Sequence, residues 1–447
     1  MHAPGELCQS FAPAPVPAHR GGRRCRTRGD RMAERILHAA LSLAVLLAIA
    51  VLASTDRRAI RPRTVLSALA IQVLLGAAIL LLPTGRRLLG TAAEAVAAVL
   101  AYGDRGAAFL FGGLVAPRMF DLFDQGGFVL AFRVLPQIVY VSALIGVLYH
   151  LGIMQGMARV IGAALQRLLG TSRIETFSAV ITIAIGQSEI AVALRPFLPL
   201  LTGSELFAVM SSGAASTAGS ILAGYAALGV PMEYLLAASV MAIPGGLLYA
   251  KILVPSTEPS RVRTMRAEFG ERRAVNLIEA AAEGTQKGLA VAVAVGAMLI
   301  AFVGLIALAN GLVGWLGGLL GVAGASIEAI LGALFRPLAW ILGVPWERAG
   351  IVGTAIGQKV AFNEFLAYAN LSPVLRSGEL GRRTTAILCF ALCGFANLAS
   401  IAIQLASFGS LVPERRAEVA SYGLRAILAG SLSNFTSAAI AGLFVEE

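Results

Sequence analysis

The chain has 447 residues, of which 57% are hydrophobic and only 14% are charged. Soluble globular proteins average about 25% charged residues, so this chain has too little polar surface to cover itself in water. Repeated apolar runs of about 20 residues or more exclude a soluble globular protein and predict an all-α protein that crosses a membrane several times.

The net charge is +11, from 36 basic and 25 acidic residues. The arginines lie in short connections between apolar runs, where basic residues set the topology of membrane helices. This distribution argues against a nucleic-acid partner and predicts membrane lipid around the helices. The cysteines have the spacing of neither a zinc site nor a disulfide framework; they are Cys8, Cys25, Cys389 and Cys393.

The first segment, 1–31, is rich in Pro and Arg and has no apolar period. This composition predicts a disordered basic tail. Met32, directly after the tail, is an alternative start of translation.

Eight segments are long and apolar enough to span a bilayer as helices. They are 34–54, 64–83, 127–152, 204–228, 231–254, 288–313, 384–407 and 418–443. An even number of spans places both termini on one side. The first loop holds four arginines within 57–63, which predicts that it is cytoplasmic and that both termini are outside. The arginines of the tail oppose its translocation, which favours the Met32 start.

Three further segments are more polar than the spans. Segments 86–104 and 153–171 combine charged residues with an apolar face, which predicts interfacial helices. The Arg-rich stretch 255–287 predicts a loop that carries a surface helix.

Two long apolar segments, 174–201 and 346–371, have a polar turn at the middle. The first contains Gly186-Gln187-Ser188-Glu189 and the second contains Asn363-Glu364. A straight helix would leave each carboxylate near the middle of the bilayer, which costs a few kcal/mol or more. Two half-helices that meet at a polar tip avoid this cost, so each segment is predicted to be a re-entrant hairpin.

The same order of elements occurs twice: a hairpin, a helix interrupted by small polar residues, and a full span. The tetrapeptide Ala-Ile-Gly-Gln also occurs in both hairpins, at 184–187 and 355–358. We therefore predict an inverted repeat of the kind that secondary transporters use. The resulting division is 32–171 as N-terminal scaffold helices, 172–254 as the first transport repeat, 255–344 as loop, interfacial helix and scaffold span, and 345–447 as the second transport repeat.

Catalytic and cofactor sites are hard to find in this chain. The four histidines are remote from both polar turns, and the chain has neither a P-loop nor a G-x-S-x-G motif. The sequence therefore predicts ligand binding without bond-making, so we expect neither an enzyme nor a bound cofactor.

Glu189 and Glu364 are the two acidic residues deep in apolar runs. Intramembrane carboxylates mark substrate or ion routes, and a carboxylate can accept hydrogen bonds from the two vicinal hydroxyls of a sugar. The alternative is a structural ion pair, with Arg195 and Lys359 as the nearby cations.

Polar side chains near these acids could complete a ligand site. Gln187 offers both a donor and an acceptor, as an amide-like base edge requires. Asn397 and Ser400 are three residues apart, on one helical face, and could share a ligand hydroxyl. The alternative for that pair is interhelical hydrogen bonding, and for Phe395 it is core packing.

Several motifs together resemble the concentrative nucleoside transporters, from about residue 34 to the end of the chain. These motifs are GQSE, SELFAVM…AGYAALGVP, NEF, CGFANLASIAIQ and PERR. The resemblance implies a homotrimer in the cytoplasmic (inner) membrane, with a scaffold part and a mobile transport part. It also implies inward nucleoside transport driven by a cation gradient.

The resemblance implies a role for each candidate site residue. Nucleobase-binding residues of the family fall on Gln187, Ser188 and Glu189, with Ser188 in place of the frequent Thr. Ribose-binding residues fall on Glu364, Asn397 and Ser400, and Phe395 matches an aromatic residue beside the ligand.

The cation site of sodium-coupled members falls on Thr182, Ile185, Ser216 and Thr217. Thr182 stands where the family has Asn, so the coupling ion is either Na⁺ or a proton, with Glu364 or Glu189 as the proton carrier. An uncoupled facilitator or channel for nucleosides or nucleobases is the alternative function.

Overall fold

The computed structural model describes residues 28–116, 118–123, 128–262, 274–322 and 324–446, which contain α-helices, short 3-10 and π turns and no β-strand. In chain order the helices are α1 (Arg28–Leu52), α2 (Pro62–Gly76), α3 (Pro83–Phe111), α4 (Arg118–Phe123), α5 (Leu130–Arg133), α6 (Leu135–His150), α7 (Ile153–Leu169), α8 (Arg173–Ile185), α9 (Glu189–Ala193), α10 (Gly203–Ala215), α11 (Gly219–Ala227), α12 (Met232–Leu253), α13 (Leu277–Leu319), α14 (Ile327–Ile341), α15 (Trp346–Ala361), α16 (Glu364–Ser377), α17 (Gly381–Leu392), α18 (Leu398–Leu411) and α19 (Arg416–Phe444).

Eight helical segments within the described ranges are long and apolar enough to cross a membrane. They are Met32–Leu52, Pro62–Leu81, Pro83–Val115, Leu130–His150, Gly203–Ala227, Met232–Leu253, Leu277–Leu319 and Pro413–Phe444. The predicted all-α, multi-span fold is therefore confirmed, and seven of these segments overlap predicted spans.

The eighth predicted span, 384–407, is an interrupted helix, as predicted for the second repeat. It consists of the two short helices α17 and α18 with a break between them, as its small polar residues had indicated. Conversely, the predicted interfacial helix 86–104 is longer than expected, because α3 continues through its Gly and Ala residues to Phe111. An interfacial position for α3 and for α7 stays a prediction.

The two polar segments, 1–31 and 255–287, also differ from the predictions. Helix α1 begins at Arg28, inside the predicted tail 1–31, whose residues 1–27 lie outside the described ranges. The predicted separate surface helix in 255–287 was wrong for its last part, because residues from Leu277 onward continue into the span as the single 43-residue helix α13. No proline interrupts α13, and its glycines at 284 and 288 lie inside the helix without ending it. Residues 263–273 lie outside the described ranges.

Helix α13 packs along α6 through small residues. A Cβ on Gly284 would lie 2.5 Å from the carbonyl oxygen of Ser142, and one on Gly288 would lie 2.8 Å from Cα of Val139. Close backbone approach of this kind is how helices associate in lipid, where hydrophobic driving force between them is absent. Helix α14, which the sequence did not predict, bends by 117° into α15 and packs against it.

The core of the molecule lies among α8, α10, α12, α17 and α19. These helices are buried on nearly all sides, as a helix must be when no face is polar or lipid-exposed. By contrast, α3 and α13 expose large apolar side chains such as Phe109 and Ile300 along most of their length. The buried helices therefore form an inner group, and α9, α11, α16 and α18, which carry most of the candidate site, pack against it.

The helix order is the same in the two predicted repeats. The first has α8 and α9, then α10 and α11 with a break at Ser216–Ala218, then α12. The second has α15 and α16, then α17 and α18 with a break at 393–397, then α19. The second limb of the first hairpin is short, because α9 ends at Ala193 and is followed by turns up to Leu200. Insertion of the two units from opposite faces of the membrane stays a prediction.

Candidate functional site

The tip of the first hairpin is made by a glycine. Helix α8 ends at Ile185, and Gly186 has φ +93° and ψ 175°, a backbone conformation essentially restricted to glycine. A Cβ at this position would lie 3.0 Å from Oε2 of Glu189 and 3.1 Å from Cβ of Ala218. Gly186 thus permits the chain to reverse and places Gln187, Ser188 and Glu189 at the tip.

The tip of the second hairpin is made by an asparagine cap. Helix α15 ends at Ala361, and the Asn363 side chain accepts a hydrogen bond from the amide of Leu366 (2.8 Å), which starts α16. Glu364 is the first residue of α16, where the positive end of the helix dipole stabilises a carboxylate. Its side chain is only 4% exposed.

Two side chains from other helices donate hydrogen bonds to Glu364. The Tyr225 hydroxyl donates to Oε1 (2.9 Å), and Nδ2 of Asn397 donates to Oε2 (2.9 Å). Lys359, the cation that sequence proximity had offered, donates instead to the carbonyl oxygen of Ala391 and to Asn434. A structural ion pair between Glu364 and Lys359 is therefore wrong.

The break between α17 and α18 lies between the two tips. Asn397 caps α18 by accepting a hydrogen bond from the amide of Ser400 (2.9 Å), which leaves its Nδ2 free to donate to Glu364. The Ser400 hydroxyl accepts a hydrogen bond from Nε2 of Gln187 (2.9 Å). A continuous chain of hydrogen bonds thus runs from Glu364 through the Asn397 side chain and the amide and hydroxyl of Ser400 to Gln187, and joins both hairpin tips.

Two residues of this network were missed from the sequence. Tyr225 is completely buried, and Gln404 donates to Oε1 of Gln187 (3.3 Å) and to the carbonyl oxygen of Met210 (3.0 Å). Both are polar side chains inside apolar runs, which is the signal that identified Glu189 and Glu364.

Phe395 packs partly buried against the core, and its amide donates to the carbonyl oxygen of Ser216 (3.1 Å).

Ser188 and Glu189 lie at the half-buried end of the first tip. The Ser188 hydroxyl donates to Oε2 of Glu189 (2.8 Å). The structure therefore brings Gln187, Ser188 and Glu189 together on one turn, with Gln187 as the member that contacts the second repeat.

The predicted cation-site residues lie on two facing segments. A Cβ on Gly219, at the start of α11, would lie 3.6 Å from the carbonyl oxygens of Ile183 and Ala184, in the last turn of α8. The end of α8, which carries Thr182 and Ile185, thus faces the break at Ser216–Ala218.

Hydroxyl groups and carbonyls are the oxygen donors at this junction. Thr182 and Ser216 each donate to the carbonyl oxygen four residues earlier, so their lone pairs remain as acceptors. Thr217 contacts Sγ of Cys393 at 3.6 Å. Neutral hydroxyl and carbonyl oxygens are ligands that fit a hard cation.

Buried polar groups at two hairpin tips and two helix breaks, within a multi-span helical protein, define a secondary membrane transporter. Three family models match the chain: "Na+ dependent nucleoside transporter N-terminus" over residues 41–114, "Nucleoside recognition" over 131–232, and "Na+ dependent nucleoside transporter C-terminus" over 234–442. The chain belongs to the Na⁺-dependent nucleoside transporter family.

Similar proteins agree with this membership. The chain is 49% identical over 411 residues to "Putative nucleoside permease NupX" of Escherichia coli (strain K12), which covers 92% of this chain and 99% of that protein. It is 47% identical over 412 residues to "Nucleoside permease NupC" of Helicobacter pylori, covering 92% and 98%. Human "Solute carrier family 28 member 3" is 35% identical, and the match covers 85% of this chain and 56% of that protein.

Solved structures are similar in fold as well as in sequence. CNTnw in an inward-facing substrate-bound state superposes with a TM-score of 0.88 at 52% identity, covering 92% of this chain and 98% of that one. An outward-facing CNTnw variant gives a TM-score of 0.87 at 52% identity, covering 92% and 97%. The protein is thus a cation-coupled nucleoside transporter that works by alternating access and is not an enzyme.

Proposed function

We propose that the nucleoside binds between the two hairpin tips. In this proposal Gln187, Ser188 and Glu189 recognise the nucleobase. The ribose contacts Glu364, Asn397 and Ser400, and Phe395 packs beside the ligand. The observation that supports it best is the hydrogen-bond chain from Glu364 to Gln187, because it joins both tips at one buried place.

The unused hydrogen-bonding groups along this row of residues fit a nucleoside. An ionised carboxylate has about four acceptor sites, and Glu364 uses one on each oxygen for Tyr225 and Asn397. The remaining two can accept hydrogen bonds from the vicinal ribose hydroxyls without displacing either partner. Ser400 and Gln187 bond to each other, and both can exchange that bond for one to the ligand at little net cost.

The test is radiolabelled uridine uptake into proteoliposomes, with the sodium and pH gradients imposed independently. Glu364→Gln is expected to abolish uptake, because one acceptor oxygen becomes a donor that faces the ribose hydroxyls and the Asn397 amide. The matched control is Glu347→Gln on α15, whose side chain is exposed. Normal uptake by Glu364→Gln would remove Glu364 from the site.

For the coupling ion we propose Na⁺ bound by the hydroxyls of Thr182, Ser216 and Thr217 and the carbonyl oxygen of Ile185. The facing arrangement of α8 and the Ser216–Ala218 break supports this set. A proton is the second candidate, since a threonine hydroxyl reaches less far toward a cation than the family's amide oxygen. Thr182→Asn is expected to lower the sodium concentration for half-maximal uptake, whereas a proton-coupled protein would be insensitive to sodium with either residue.

We further propose a homotrimer in the cytoplasmic membrane, with 32–171 and 255–344 as scaffold and 172–254 and 345–447 as the moving part. The continuous burial of the inner helices and the exposed apolar sides of α3 and α13 support this division. Native mass spectrometry of the protein in detergent tests the stoichiometry, and a monomer or dimer as the largest species would contradict it.

A further inference from the structure

Lys359 is a completely buried cation whose hydrogen-bond partners are all neutral, and Glu364 acts on it only through space. Its side chain is 0% exposed, and Nζ donates to the carbonyl oxygen of Ala391 (2.8 Å) and to Oδ1 of Asn434 (2.7 Å). Nζ also lies 5.8 Å from the centre of the Phe435 ring. A buried charge is costly unless it is well paired, so this position needs a reason beyond packing.

Asn434, on α19, connects this cation to both broken helices. Its Nδ2 donates to the carbonyl oxygens of Ala215 (2.7 Å) and Cys393 (2.9 Å), while its Oδ1 accepts from Lys359. Both amide hydrogens are therefore used. A Cβ at Gly394 would collide with this amide, so the chain at the break approaches Asn434 as closely as glycine allows.

The carbonyls in this cluster belong to helix ends. Ala215 is the last residue of α10, and Ala391 and Cys393 lie at the end of α17. The last carbonyls of a helix lack intrahelical partners and carry partial negative charge. Two such negative ends meet at Asn434, and the ammonium of Lys359 lies next to them.

The cluster contacts both proposed ligand sites through the backbone. Ser216, a proposed cation ligand, directly follows Ala215, and its carbonyl oxygen accepts the amide of Phe395 (3.1 Å). Phe395 lies two residues before Asn397. Lys359 lies on α15, five residues before Glu364.

We propose that Lys359 and Asn434 are positioning residues that transmit cation binding at the break between α10 and α11 to nucleoside binding at the break between α17 and α18. Displacing either helix end alone would leave a buried carbonyl and a buried ammonium without partners, which is expensive. The two ends therefore move together. The inference rests on the proposed function, since it assumes a cation at Ser216 and a nucleoside at Asn397.

The experiment measures how the KM for uridine depends on the cation. Wild-type protein in proteoliposomes is assayed across a sodium series at fixed pH and across a pH series at fixed sodium. Coupling between two sites typically changes affinity by about 5–150-fold. In Asn434→Ser and Lys359→Met, the dependence of KM on the coupling cation is expected to fall to about 2-fold or less, with uptake retained at saturating cation.

The control is Ser433→Ala, next to Asn434 on α19. Ser433 is also completely buried, and its hydroxyl has no hydrogen-bond partner among the described residues. This variant is expected to keep the wild-type dependence on the cation. In Lys359→Met plus Asn434→Ser, the loss is expected to equal that of either single variant, because the two residues act as one unit.

Each result separates this inference from the function on which it rests. A wild-type protein whose uridine uptake ignores both cations would contradict the proposed function itself. Coupled wild-type protein, with unchanged cation dependence in both variants, would overturn only the inference. Folded variants that lose uptake at every cation concentration would also overturn it, since the residues would then serve binding and not coupling.

Should Lys359→Met fail to fold, Asn434→Ser decides the question, because it keeps the ammonium and shortens only one neutral side chain. Monodisperse elution in detergent establishes that a variant is folded. Thermal stabilisation by uridine, measured with and without the cation, then gives the coupling without any gradient. If uridine stabilises the variant equally with and without the cation, the inference is supported. If the variant shows a difference as large as that of the wild-type protein, the inference is overturned.

Discussion

Gly186 at the first hairpin tip gives the sharpest test of how the backbone builds the site. Its φ of +93° and ψ of 175° lie in a region that is essentially restricted to glycine. Replacement by alanine puts a Cβ 3.0 Å from a carboxylate oxygen of Glu189 and 3.1 Å from Cβ of Ala218. Gly186→Ala therefore combines backbone strain with a tight contact on a substrate-binding side chain.

The expected loss of stability follows from these two effects. A residue held in such a region costs about 1–3 kcal/mol, and forcing a methyl group into a packed site adds about 1–3 kcal/mol. The sum is roughly 2–6 kcal/mol. The matched control is Gly378→Ala, at φ +70° with no heavy atom within 4 Å of its Cβ, which should cost only about 1–2 kcal/mol.

The assay compares thermal unfolding and uridine uptake of both variants with wild type. Gly186→Ala should unfold at a clearly lower temperature than Gly378→Ala, and it should lose uptake because the tip residues shift away from the second repeat. If Gly186→Ala is as stable as Gly378→Ala and transports normally, the geometry of the first tip is not what positions Gln187 and its neighbours.

Three further substitutions test other parts of the molecule. Asn397→Ala removes both the cap of α18 and a hydrogen bond to the Glu364 carboxylate; we expect a loss of about 2–4 kcal/mol in uridine binding, and a KM within twofold of wild type would contradict it. Lys251 forms a buried ion pair with Glu175. Lys251→Met leaves that carboxylate without its counter-ion and should destabilise the protein by about 3–5 kcal/mol, which denaturation in detergent would show as a lower midpoint. Gly288→Leu should separate α13 from α6 and lower the melting temperature, whereas Gly304→Leu, whose Cβ meets nothing within 4 Å, should not.

The sequence predicted the breaks in the fold better than the lengths of its helices. A polar turn within an apolar run is visible in the sequence, because a buried carboxylate must find a cavity or a partner, and both tips lie where Glu189 and Glu364 indicated. The extent of α3 and α13 was not visible. Helix α3 starts at Pro83 and ends before Gly112, but the glycines inside α3 and α13 end neither helix, because tertiary contacts override such local signals.

The partners of the candidate site were harder to predict than its members. Tyr225 and Glu364 are 139 residues apart, and Gln404 and Gln187 are 217 apart, so only the folded chain brings them together. Lys359 shows that a short distance in sequence does not ensure a contact in the structure. It is five residues from Glu364, but the helix ends between them, and its ammonium points to the broken helices instead.

The length of α13 has a consequence for the surrounding bilayer. At 1.5 Å per residue a helix of 43 residues is about 65 Å long, about twice the hydrocarbon thickness of roughly 30 Å. Even its uncharged part, from 288 onward, measures close to 48 Å, which exceeds the hydrocarbon thickness, and a stretch of this length is accommodated by tilting or by local thickening of the bilayer. An inclined rod adjusts its angle when the acyl chains around it lengthen or shorten. Uridine turnover should consequently depend on the chain length of the phospholipid into which the protein is reconstituted.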